Sequence, residues 1–148
     1  MDKHSKSYAL YTDEISRILK GKIKILTYDE LKNYSNIDDV LKPFGQTVIL
    51  YMNGKNHGHY CCLLDHYDRI EFFDSYSSKP DHEFDYIDKS TRRKYNYTGA
   101  PYLSKLLVKT NKKIEFNHSQ LQRDGNTIAT CGRWCIVRIL MKDIKLDD

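Results

Sequence analysis

Only three prolines and seven glycines occur in 148 residues, so no Pro/Gly-rich linker divides the chain, and no internal repeat or low-complexity tract marks a boundary. One domain with its own apolar core is the expectation. Long hydrophobic runs are missing too: nothing approaches the ~20 apolar residues of a membrane-spanning helix. The first residues, MDKHSKSYALYTDEI, carry charge where a secretory signal needs an apolar block, which points to an intracellular protein. Neither a CxxC knuckle nor an HExxH helix is present. Zinc is therefore not expected, although His57, His59, Cys61, Cys131 and Cys135 supply suitable atoms. A phosphate-cradling glycine loop is also absent, and no cofactor is implied.

What is present is a balanced, slightly basic composition: 40% hydrophobic, 30% charged and a net charge of +4. Lysine and arginine are scattered, with small clusters at Lys20-Gly-Lys22-Ile-Lys24, Arg92-Arg93-Lys94 and Lys112-Lys113. Solvated surface accounts for them. Non-specific contact with DNA is the alternative, since phosphate binding needs little more than such patches. The cysteines come as an adjacent pair, Cys61-Cys62, and an i,i+4 pair, Cys131 and Cys135. Adjacent residues on a strand point to opposite faces, so free thiols in a reducing compartment are expected.

Apolar residues Tyr8, Leu10, Tyr11, Ile15, Ile18 and Leu19 predict a helix over residues 6–20, stopped by Gly21. Thr27-Tyr-Asp-Glu30 has the pattern of an N-terminal capping box and opens a second short helix. A turn is expected over Asp38–Leu41. Thr47–Met52 reads as a strand and residues 53–58 as a loop. Two apolar runs, His59–Leu64 and Arg69–Asp74, predict a hairpin. With its turn centred on His66 and Tyr67, Leu63 faces Ile70, Cys61 faces Phe72, and His59 faces Asp74, with Cβ atoms ~4.5–5.5 Å apart. Residues 76–98 read as irregular surface, Pro101–Lys109 as a helix, Lys113–Phe116 as a strand and Asn117–Thr130 as a loop with a turn at Asp124-Gly125-Asn126. Cys131 then opens a final helix whose Trp134, Val137, Ile139, Leu140 and Met141 are expected to be mostly buried. Residues 1–45 form a helical N-terminal part and 46–142 a catalytic core. The fold class is α+β, a small mixed or mostly antiparallel sheet packed against flanking helices and the helix that bears Cys131.

The chemistry centres on Cys131. A helix N-terminus and a neighbouring histidine both favour the thiolate, which is the nucleophilic form. Gly132 lets a substrate backbone approach, and a backbone N–H there can face an oxyanion. His59 is the expected base because it heads the hairpin opposite Asp74; His57 and His66 are its rivals. Asp74 would orient the imidazole, or else merely cap the turn Asp-Ser-Tyr-Ser. Gln122 is the candidate side-chain oxyanion donor, and Gln120 is nearly as well placed by spacing. Cys135 reads as a packed thiol.

Taken together, Gly58-His59-Tyr60, Phe72-Phe73-Asp74-Ser75-Tyr76 and Gln122…Asn126…Cys131-Gly132-Arg133-Trp134-Cys135 resemble the adenain/Ulp1 superfamily of cysteine peptidases, most of all the adenovirus-type maturation proteases. The resemblance spans roughly residues 46–141. It implies a papain-like fold and a thioester mechanism with Cys131, His59, Asp74 and Gln122 as catalytic residues. Gly58, Tyr60, Gly132 and Trp134 would line a narrow, glycine-accepting cleft. It also implies a monomer acting on a polypeptide in the host cytoplasm or nucleus, or packaged in the virion, with no membrane contact and with DNA as a possible stimulator. A viral structural precursor is the first expectation for the substrate and a SUMO- or ubiquitin-like conjugate the second. A non-catalytic protein- or nucleic-acid-binding module is the third. Tyr60 stands where the family mostly has tryptophan, Thr130 replaces the aspartate common in Ulp1-type members, and the interval from Gln122 to Cys131 is longer than usual.

Overall fold

The computed structural model describes residues 12–54, 57–77, 79–81, 89–94, 101–117 and 128–144. Helix α1 is described over residues 12–18. Its end is a Schellman turn: Gly21 N–H reaches Ser16 O at 2.8 Å and Lys20 N–H reaches Arg17 O at 3.1 Å. Two consecutive residues, Lys20 and Gly21, take positive φ there (56° and 71°). The predicted stop is therefore real, with lysine in the left-handed position that glycine usually fills. Strand β1 (Lys24–Thr27) leads into the 3-10 helix η1 (Tyr28–Asn33), where Glu30 reaches back to Thr27 N–H at 3.1 Å as the capping box requires. Helix α2 (Ile37–Leu41) is capped by Asn36, whose Oδ1 accepts from Asp39 N–H at 2.9 Å.

The remaining elements are β2 (Gln46–Gly54), β3 (His57–Asp65), β4 (Arg69–Phe73), α3 (Lys89–Lys94), α4 (Tyr102–Val108), β5 (Lys113–Phe116) and α5 (Ile128–Leu140). The five strands among the described residues form one sheet whose spatial order equals its chain order. The central pairings are antiparallel and the outer two, β1–β2 and β4–β5, are parallel. The α+β class stands, and of the two sheet types expected the sheet is the mixed one.

Parallel neighbours need crossovers. Both crossovers step the same way across the sheet from strands of the same sense, so right-handedness puts them on one face. Accordingly η1, α2 and α4 share a core with Ile49, Tyr51, Cys61, Leu63, Ile70 and Phe72. On the other face α1 and α5 cover Val48, Leu50, Tyr60, Cys62, Leu64 and Phe73. Strand alternation thus separates Cys61 from Cys62, and all four cysteines are free thiols.

Polar groups stitch the layers. Tyr28 stacks between Tyr51 and Tyr102 with centroids 4.6 and 5.2 Å away. Its hydroxyl donates to Asp81 Oδ1 and accepts from Tyr102 N–H at 2.6 Å. Asp81 Oδ2 accepts from Ser104 N–H at 2.6 Å, which caps a helix preceded by proline. On the opposite face, Arg138 of α5 holds the fully buried Glu71 of β4 in a bidentate pair of 2.6 and 2.7 Å, and His66 Nε2 adds a contact of 2.9 Å.

Five expectations need correction. The hairpin pairs Leu63 with Phe72 and Leu64 with Glu71, two residues out of the predicted register. Its turn centres on Tyr67 and Asp68: His66 N–H bonds to Arg69 O at 2.9 Å, and Tyr67 sits at φ 71°. A displacement of two leaves every side chain on its intended face. Residues 24–27, unassigned in the sequence, form a parallel edge strand within the supposedly helical N-terminal part. The loop over 53–58 is shorter than predicted, since β2 runs to Gly54 and β3 starts at His57. Helix α5 starts at Ile128, and its inward residues are Cys131, Cys135, Ile136, Arg138 and Ile139, while Val137, Leu140 and Met141 are 42%, 65% and 46% exposed. Helical phase, set by the sheet beneath, overrides hydropathy here. Helix α3 interrupts the stretch read as irregular.

Candidate active site

β3 brings His59 to one end of the sheet, and the residue just after β4 is Asp74. In the observed register the two lie diagonally across the β3–β4 pair, which long side chains can still bridge. His59 Nε2 and Asp74 Oδ2 are 2.8 Å apart, and both residues are buried, at 3% and 2% exposure. Cys131 arrives from α5, in its first turn, at 1% exposure. Its Sγ accepts from Tyr60 N–H at 3.3 Å and shares a side-chain hydrogen bond with His59. Since Nε2 is engaged by Asp74, Nδ1 is the ring nitrogen left for the thiol.

Asp74 makes both of the contacts considered for it. Oδ1 accepts from Tyr76 N–H at 2.8 Å, capping the turn, while Oδ2 holds His59. The Tyr76 ring lies 5.1 Å from the imidazole, tilted by 39°. Asn117, just past β5, grips the aspartate's backbone: its Oδ1 accepts from Asp74 N–H at 3.0 Å and its Nδ2 donates to Asp74 O at 2.6 Å. Neither Tyr76 nor Asn117 was singled out from the sequence. Tyr76 was visible in the Asp-Ser-Tyr segment; Asn117 was not, because its partner is far away in the chain.

Burial pushes the His59 imidazole toward its neutral form, but the hydrogen bonds and charge of Asp74 and Cys131 outweigh it and raise its pKa to about 10. In an unfolded chain the ring loses its proton near ~6.5. The protonated ring therefore stabilises the fold fully below that value, and the contribution is lost as pH rises through about 10. In urea titrations across that window the wild-type midpoint should fall relative to His59→Gln, which lacks the group. Parallel curves would contradict it.

The other expected site residues take varied places. Gly58 lies in β3 opposite Met52. Tyr60 is fully buried, and its hydroxyl is 3.0 Å from Thr12 Oγ1. Gly132 faces inward, where an added Cβ would come within 3.3 Å of the Tyr60 ring and 3.5 Å of Ile15. Close approach of α5 to β3 is thus the visible reason for glycine there. Trp134 is half-buried against the α5-side core. A hydrogen bond to Cys62 and burial push the Cys135 thiol well above its usual range. Gln120, Gln122 and the Asp124-Gly125-Asn126 turn lie outside the described residues. Among the described residues no helix is long and apolar enough to cross a membrane.

No family model matches the chain. A solved structure described as that of the de-sumoylating protease aligns with 88% of this chain and 57% of its own length, at 21% identity and a TM-score of 0.37. The uncharacterized protein V9 of Sputnik virophage is 41% identical over 145 residues, covering 97% of this chain and 82% of that protein. With that identity across nearly its whole length, the chain belongs to the family of the virophage protein V9.

Proposed function

We propose that the protein is a cysteine endopeptidase that processes a viral structural precursor. The observation that carries this reading is the convergence of Cys131, His59 and Asp74 from three separate elements into one buried, hydrogen-bonded chain. Few purely structural arrangements need a thiol, an imidazole and a carboxylate in that order.

In the proposed reaction Cys131 Sγ attacks the scissile carbonyl carbon and a C–S bond forms. His59, on the thiol side of its ring, gives its proton to the leaving amine as the C–N bond breaks. Water then attacks the thioester, His59 takes a proton from it, and the acid product leaves with the thiolate restored. Asp74 keeps the imidazole turned and stabilises its charged form. The Cys131 backbone N–H, with Gln122 or Gln120, would hold the oxyanion.

Kinship with a virophage protein supports the viral context and an action in the infected cell or the virion. Incubation with candidate capsid precursors, and separately with ubiquitin-like active-site probes, tests the substrate. Precursor cleavage without probe labelling is expected. Labelling at Cys131 would move the assignment to a deconjugase, and neither result with intact folded protein would leave a non-catalytic binding module.

Stimulation by DNA belongs to the same proposal. Arg93 and Lys94 are exposed on α3, whereas Lys112 is tied to Asp65 at 3.1 Å. Turnover should rise with added DNA at low salt and lose that rise by physiological ionic strength, because counterion release weakens phosphate contacts. A salt series with and without DNA measures this; a flat response removes DNA from the scheme.

A further inference from the structure

Asn117 occupies a place that strand geometry explains. β4 and β5 run parallel with Phe72 opposite Phe116; β5 stops there and β4 one residue later, at Phe73. Beyond that point the ladder is continued by a side chain. The Asn117 carboxamide offers one acceptor and one donor, as a peptide unit does, and takes both the N–H (3.0 Å) and the C=O (2.6 Å) of Asp74. The residue is 5% exposed. Its own carbonyl accepts from Ser77 Oγ at 2.8 Å, and Ser77 N–H bonds to Asp74 O at 2.8 Å. Asp74 is thus fixed at both backbone polar atoms, and its carboxylate has only side-chain rotation left, which the Tyr76 N–H and His59 bonds restrict.

We infer that Asn117 is a positioning residue for the reaction, extending the β4–β5 ladder by one rung to hold Asp74 where its carboxylate meets His59. The inference rests on the reading of Cys131, His59 and Asp74 as a catalytic chain. Asn117 acts through Asp74, whose backbone it holds. The only side chain of ordinary size that presents donor and acceptor in a peptide-like plane at this reach is asparagine. Aspartate keeps the shape but offers two acceptors, so one faces the Asp74 carbonyl with no proton between them.

The test compares the full-length wild type with Asn117→Asp and Asn117→Ala. The readouts are the NMR titration midpoint of the His59 ring, the rate of iodoacetamide alkylation of Cys131 followed by peptide mass, and thermal melting. With a cleavable substrate, kcat and KM are added. In both variants the His59 midpoint should drop from about 10 toward the ordinary value, because the Asp74 bond is a main cause of its elevation. Cys131 alkylation at neutral pH should slow in parallel, and kcat should fall by up to about 100-fold with KM little changed, as expected when a supporting group shifts the reacting geometry by about 1 Å. Melting that falls while His59, Cys131 and kcat stay as in wild type would make Asn117 a purely structural residue and overturn the inference. Loss of the fold in both variants would do the same. Failure of the underlying reading looks different: wild-type His59 titrating at its ordinary value and wild-type Cys131 alkylating like an unassisted thiol.

Discussion

Cys131→Ala should reduce turnover to background, a loss of about six orders of magnitude, as when the nucleophile of a covalent hydrolase is removed. The remaining groups can bind and polarise a carbonyl but have nothing to accept the acyl group. His59→Ala should be nearly as damaging, since the thiol then loses both its base and its adjacent cation. Asp74→Asn should cost less, because Tyr76 N–H and Asn117 still hold residue 74 in place while only the charge opposite the imidazole disappears. The melting temperature of Cys131→Ala should stay close to wild type, since the substitution removes one sulfur from a packed site. Steady-state assays on the three variants, read beside their melting curves, check the order. Wild-type cleavage by folded Cys131→Ala would remove the mechanism.

Arg138→Ala should produce the largest loss of stability, about 3–5 kcal/mol, because it strands a buried carboxylate. Glu71 has 0% side-chain exposure, and its two oxygens are held at 2.6 and 2.7 Å by Arg138. His66 remains at 2.9 Å from Oε1 and can compensate only in part. For a chain of this length such a change corresponds to on the order of 10 °C in melting temperature. Glu71→Leu combined with Arg138→Met should recover most of it, since neither charge is then left alone in the core. Urea denaturation of the single and double variants supplies the measurement. A single-variant effect under about 1 kcal/mol, the range of an exposed ion pair, would show that water reaches Glu71.

The sequence revealed the elements better than their joins. Period-two patterning located β2, β3, β4 and β5 and put Cys61 and Cys62 on opposite faces. It missed the hairpin register because a local side-chain bond chose the turn: Asp65 Oδ1 accepts from Tyr67 N–H at 2.9 Å and supports the positive φ of Tyr67. β1 was invisible because Lys-Ile-Leu-Thr is too short for a pattern and gains its strand character only from parallel pairing with β2. The inward phase of α5 follows from the groove above β3, and Arg138 was hidden because a charged residue reads as surface until its partner is known. At the site, residue types and chain order pointed to Cys131, His59 and Asp74. The grip of Asn117 and the Tyr60 N–H bond are backbone geometry, which no spacing rule encodes.

The position of α5 last among the described elements has a consequence for how the molecule comes into being. As the chain leaves the ribosome, β2, β3 and β4 can pair and the crossover helices can cover one face before α5 emerges. The opposite face then waits bare, with Cys62, Leu64 and the Glu71 carboxylate lacking their cover. The helix that delivers the counter-ion Arg138 also delivers the thiol Cys131. A partly made chain therefore has His59 and Asp74 without Cys131, the proposed nucleophile, which joins them in the same docking event that closes the core. On the proposed mechanism, the chain would become reactive only as it finishes folding.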